Sequence, residues 1–381
     1  PAFGGLLLWG LDELLVYHFL VAEAFRFHDV PPAQFFALPR EQQAELVWRE
    51  LFLAHSPVSE ACRGVLTTLH RLGLDPRGQD LDALRAWFAE QEPATHVDRV
   101  LALANVRAVT MTNSPFDDAE RPVWQTGFAR DPRFLAALRI DPLLVAWPEA
   151  AARLYDWGYV SSGEPGAGTL DGVRRFLADW TARTQPRYVM ASVPPDWHYR
   201  DDSDLCRVLE EAVLPHCRDH GLPLALMMGV ERGVNPALRL AGDGAGRADL
   251  ASLRRLCAAQ PGNRFLVTAL ASENQHELCV LARKFANLHP FGCWWFVNVP
   301  SLIEEITRLR LELLGLSFTP QHSDARVLEQ LVYKWEHPRQ ILARVLTEQY
   351  TRLGAAGWWP TAKEVERDVH ALDEASQRAA R

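Results

Sequence analysis

At 381 residues, 48% hydrophobic and 23% charged, the chain has the make-up of a globular protein with an ample core and the length of one large α/β domain carrying an insertion. A formal charge of −8 without any basic run excludes a nucleic-acid surface. No apolar stretch reaches the roughly 20 residues of a membrane helix and no basic start precedes the first apolar run, so a cytoplasmic location is the default expectation.

Residues 1–107 hold no convincing strand. LDELLVYHFLVAEAFRF, PREQQAELVWRELFLA, a stretch opened by Ser56-Pro57, LDALRAWFAEQ and HVDRVLALANV read as successive helices. From there short β-rich runs alternate with helical segments, at 108–112, 135–140, 188–192, 224–228, 265–269, 292–297 and 317–321. Alternation of this length predicts a parallel α/β architecture of seven strands, one fewer than a closed barrel needs. SSGEPGAG, residues 161–168, reads as an excursion loop, and GDGAG, residues 242–246, as a flexible loop over the mouth. The six cysteines form no C-x-x-C pair and are expected as reduced, mostly buried thiols.

In such a sheet chemistry collects at the carboxyl ends of the strands. Arg139 closes one strand-like run and Arg326 follows the last, so both can offer forked donors to a carboxylate. Asp324 stands beside Arg326 as a metal ligand or proton acceptor. His18 is the one imidazole on an apolar helical face, where a core role and a functional one both fit. His216 and His220 have the spacing of a helical metal pair, but they precede a strand and are expected as surface histidines at the opposite face. Trp294 and Trp295 should alternate along a strand, one of them able to wall a sugar site.

Several motifs in order, YHFLVAE, SPVSEACRGVL, TNSPFDD, ALRIDP, FLVTALASENQHELCVLARKF, FGCWWFVN and HSDARVLEQLVYKWEH, make the chain resemble the uronate isomerases. That family is a divergent branch of the amidohydrolase superfamily, and the resemblance is nearer to its bacillar subgroup than to the enterobacterial form. It implies a distorted TIM-like (β/α)8 barrel with a helical insertion after the first strand. On that pattern residues 1–107 are the insertion, 108–345 carry strands two to eight, and 346–381 form a C-terminal helical segment. It implies an aldose–ketose isomerase that interconverts D-glucuronate with D-fructuronate and D-galacturonate with D-tagaturonate, with a small uronate sugar as partner and homo-oligomerisation left open.

Residue by residue, the resemblance makes Asp324 a metal ligand, His18, Asp324 and Arg326 catalytic, and Arg139, Arg326 and Trp295 substrate-binding. The cofactor it implies is a divalent metal, zinc. Three departures stand out: Phe19 follows His18 where the family has tyrosine, Ser272 stands where it often has arginine, and no His-x-His occurs in the chain. These lead to the expectation of an N-truncated protein of weak or no activity. A metal-dependent hydrolase on the same fold and a non-catalytic sugar-acid-binding relic are the alternatives.

Overall fold

The computed structural model describes residues 5–375 except 79, 161, 162, 164 and 200–202, so the expected loop at 161–168 lies partly outside the described residues. The chain falls into two units, one of Pro1–Arg107, Glu231–Gly244 and His322–Ile341, the other of Ala108–Val230, Ala245–Gln321 and Leu342–Arg381.

In the first unit the run expected as a single helix is two, α1 (Leu11–Leu15) and α2 (His18–Ala24). On an unbroken helix Leu20 would stand about 140° around the axis from Leu15. With the break, Leu11, Leu14, Leu15, Leu20 and Val21 all enter one core cluster. Tyr17, between the helices, takes an extended backbone (φ −64°, ψ 138°). Helix α3 (Glu60–Arg71) starts at Ser59, whose hydroxyl accepts from the Cys62 N–H at 3.2 Å and so satisfies one donor of the first turn. The segment His322–Ile341 contributes Val327 to the same core and then enters α4 (Gln330–Ala355), which runs unbroken through residues 345 and 346. Its Tyr333 ring lies against Gly64 of α3, where a Cβ would stand 2.5 Å from the ring.

The second unit holds a six-stranded sheet, β1 (Val109–Asn113), β2 (Phe134–Arg139), β3 (Val189–Val193), β4 (Leu224–Met228), β5 (Phe265–Ala269) and β6 (Leu288–Pro290). The strands pair in parallel in chain order, which requires crossover segments between them. Long helices such as Ala167–Thr184 and Leu250–Ala259 supply these. Alternate residues face opposite ways. Leu138, Val189, Ala191, Leu224, Leu226 and Val267 enter a large core cluster, while Ala137, Met190, Ala225, Met227 and Leu266 enter a smaller one. Burial on both faces of β3, β4 and β5 is why these three read as continuous apolar runs. The fold is therefore a mixed α/β one built on a parallel sheet. Among the described residues no pairing joins β1 to β6.

Two strand expectations are corrected. The strand placed at 292–297 lies earlier, at Leu288–Pro290, and Trp295–Val297 form a 3-10 turn in which Trp295 has φ +51°. The tryptophans therefore do not alternate along a strand; Trp295 is buried and Trp294 packs partly buried against the smaller cluster. The strand placed at 317–321 is reduced to one parallel bridge, Thr319 to Phe291. Thr319 N–H donates to Pro290 O and Gly292 N–H donates to Thr319 O, but Pro290 and Pro320 have no N–H with which to extend the ladder.

His216 also departs from expectation: it is buried, with Nε2 2.9 Å from Thr181 Oγ1, and burial pushes its pKa down to about 4. All six cysteines are buried and free. Among the described residues no helix is long and apolar enough to cross a membrane.

The Gly64 contact gives a stability test. Gly64→Ala gains about 1 kcal/mol of helix propensity, whereas overpacking against a buried ring costs about 1–3 kcal/mol. A net loss is expected, read as a lower denaturant midpoint at unchanged m value. An equal or higher midpoint means that the Tyr333 ring yields.

Candidate active site

The break after α1 turns Tyr17 and His18 into the wall of a cavity of about 350 Å³, which Arg40, Arg239 and Arg326 also line. All five belong to the first unit. Arg40 is paired with Glu13 at 3.0 Å. Arg239 lies 4.5 Å from the centre of the Phe36 ring and has a backbone φ of +53°, rare for a residue with a side chain. Arg326 is exposed, and its backbone is held from below: Gln330 Oε1 accepts from the N–H groups of Arg326 at 2.8 Å and Val327 at 3.1 Å.

Burial sets the protonation of this wall. It lowers the His18 pKa to about 3, with the positive charges of Lys334 and Arg326 acting in the same direction, so the imidazole is neutral at neutral pH. The Tyr17 phenol is pushed far above its usual value by burial and, next, by the charge of Asp324. Tyr17 Oη has no hydrogen-bond partner among the described residues. A neutral imidazole and a neutral phenol thus stand among guanidinium groups, an arrangement suited to holding an anion while a proton moves.

Asp324, two residues from Arg326, has a left-handed backbone (φ +49°) and its carbonyl accepts from Lys334 Nζ at 3.0 Å. Lys334 is only 4% exposed, and burial lowers its pKa.

Arg139 and Trp295 belong to the second unit. Arg139, the last residue of β2, grips Asp141 Oδ2 through Nε at 3.0 Å and Nη2 at 2.6 Å, while Asp141 Oδ1 accepts from the Ser192 N–H at 3.0 Å. One edge of this guanidinium is thereby fixed at a strand end. No group of three or more His, Cys, Asp or Glu side chains among the described residues is placed to hold a metal ion, and such a site needs more protein ligands than the Asp324 carboxylate supplies.

Tyr17, Arg239 and Lys334 escaped the sequence reading. Lys334 alone left a signal there, a charge inside the apolar helical stretch Leu331-Val332-Tyr333-Lys334-Trp335. No motif or spacing in the sequence singles out Tyr17 or Arg239.

A parallel sheet with polar side chains at its strand ends, in a chain whose helical unit holds a cationic cavity, defines a mixed α/β protein with a candidate anion-binding site. No protein-family model matches the chain, and no curated protein does. Among solved structures, the uronate isomerase of Bacillus halodurans C-125 is 50% identical, covers 100% of this chain and 90% of its own, and superposes with a TM-score of 0.97. The chain belongs to the uronate isomerase family. The fold recurs in a uronate isomerase from Thermotoga maritima (13% identity, 100% of this chain and 92% of that one, TM-score 0.76) and in a glucuronate isomerase from Caulobacter crescentus (17% identity, 78% and 68%, TM-score 0.61).

The buried imidazole fixes the sign of a pH effect. His18 takes up its proton near 6.5 when unfolded but only near about 3 when folded. Its contribution to stability is therefore complete above about 6.5 and is lost as pH falls toward about 3. His18→Gln should flatten the fall of the unfolding free energy across that window. An unchanged slope means that other groups carry it.

Proposed function

We propose that the chain is an aldose–ketose isomerase of uronates, interconverting D-glucuronate with D-fructuronate and D-galacturonate with D-tagaturonate. The observation that carries this reading is the 50% identity to a uronate isomerase over the whole chain. The reaction moves a proton from C2 to C1 of the open-chain sugar and a second from the C2 hydroxyl to the carbonyl oxygen. It therefore needs a base, a group that serves the oxygens, and an anchor for the distant carboxylate.

Arg326 is assigned the carboxylate, because it is exposed in the cavity wall and its backbone is fixed by Gln330. Arg139 is assigned a further substrate contact, and Trp295 an apolar one. Asp324 is assigned the C2 proton, and neutral His18 the hydroxyl proton, for which it can act as acceptor and donor in turn. The parallel sheet is read as part of a distorted (β/α)8 barrel. A divalent metal such as zinc, implied by the resemblance, does not fit the described residues, and no step runs through one.

The purified chain is incubated with each aldose in D2O and followed by proton NMR. Ketose formation with deuterium entering C1 or C2 supports the proposal, and no ketose from either sugar ends it. In the active protein, Arg326→Met and Arg139→Met should each lose a charge-assisted pair, about 1.5–3 kcal/mol in kcat/KM, or roughly tenfold to 150-fold. Unchanged kcat/KM in both removes the anchoring role. Metal analysis after exhaustive dialysis should find no stoichiometric metal, since one carboxylate gives too few ligands. One retained zinc per chain would call for ligands other than those described.

A further inference from the structure

Lys334 is buried, yet among the described residues no carboxylate lies within ion-pair distance of its ammonium. Of its three N–H donors, one goes to the carbonyl of Asp324 at 3.0 Å. The ammonium also stands 5.5 Å from the centre of the Tyr17 ring. A methionine would fill the same helical position without the cost of burying a charge, so packing alone does not account for a lysine here.

What Lys334 holds is unusual in itself. Asp324 has a left-handed backbone (φ +49°), uncommon for a residue with a side chain although Asp enters it more readily than most, and a bond that holds its carbonyl favours it further. Four residues before Lys334, and hence on the same face of α4, Gln330 accepts from the N–H groups of Arg326 and Val327. Two side chains, one helical turn apart, therefore fasten the turn that carries Asp324 and Arg326. The helix under them is itself seated, its Tyr333 ring lying against Gly64.

We propose that Lys334 and Gln330 are positioning residues: Lys334 enforces the left-handed backbone that aims the Asp324 carboxylate, and Gln330 sets the backbone from which Arg326 reaches the substrate. The kinetic part rests on the isomerase reading; the structural part does not.

The test uses the full chain with Lys334→Met, Lys334→Arg and Gln330→Leu. In crystals of K334M, residue 324 is expected to leave the left-handed region, and a retained positive φ with ordered Asp324 density overturns the proposal whether or not the protein turns over uronates. In kinetics, K334M should lower kcat at least tenfold with KM changed less than twofold, and K334R, which keeps a donor, should recover part of kcat. Q330L should chiefly raise KM. Added to Asp324→Asn, K334M should cause no further loss, and a full additional tenfold loss would show that Lys334 acts by another route. If K334M does not fold, the same backbone angle is read in K334R, where a displaced Asp324 carbonyl supports the clamp and an unmoved one without a bond to the introduced guanidinium overturns it. An unmodified chain that makes no ketose sinks the isomerase reading and leaves the crystallographic arm to decide this one.

Discussion

Glu329 joins more of the first unit than any contact of comparable size described there. Its Oε1 accepts from the Gly10 N–H at 3.0 Å and from His96 Nε2 at 2.8 Å, and its carbonyl accepts from Thr68 Oγ1 at 3.4 Å. One buried residue thus ties together the start of α1, the helix Pro93–Ala104, α3 and the segment that leads into α4. Removing one partner of a buried hydrogen bond typically costs about 1–3 kcal/mol, since the polar group left behind stays desolvated and unsatisfied. Glu329 also stands between the turn bearing Asp324 and Arg326 and the helix bearing Gln330 and Lys334. The geometry of the cavity wall therefore depends on an acid that does not line it.

The cavity runs against the overall charge of the molecule. A chain of formal charge −8 repels anions at a distance, yet Arg40, Arg239 and Arg326 line one concave surface. Local fields decide binding within roughly a Debye length, about 8 Å at physiological salt, and a concave wall concentrates them. Burial of the neighbouring histidine and tyrosine keeps both uncharged at neutral pH. Glu13, which lines the same cavity, offsets Arg40, so the positive field there rests chiefly on Arg239 and Arg326, whose guanidinium groups do not titrate in the working range.

Much of the sheet could be read in the sequence, because β1 to β5 are short aliphatic or β-branched runs between helical periods, and β3 to β5 are buried on both faces. The sixth strand could not. Leu288-His289-Pro290 has little β propensity, while the neighbouring Trp294-Trp295-Phe296-Val297 has a great deal and forms a turn, so packing overrode propensity. In the cavity, His18 and Arg326 were legible as residue types in a suggestive place. What brings them to one wall was not: α1 breaks before Tyr17 without a glycine or proline, and the hold of Gln330 on the Arg326 backbone depends on a turn that propensity does not foretell. Lys334 shows the reverse case, a plain anomaly in the sequence whose meaning needed the left-handed carbonyl opposite it.

The buried cysteines make the two units separately observable. Cys62 lies in the first unit and Cys206, Cys217, Cys257, Cys279 and Cys293 in the second. Burial raises the thiols of Cys62, Cys217 and Cys257 to about 12. A thiol reagent reacts with the thiolate, so in the closed protein these sulfurs are both unreachable and unreactive. Each becomes labelled only when its own surroundings open, and the labelling rate then follows the free energy of that local opening. The native thiols are thus built-in clocks: Cys62 times the unit that holds the cationic cavity, and the other five time the unit that holds the sheet.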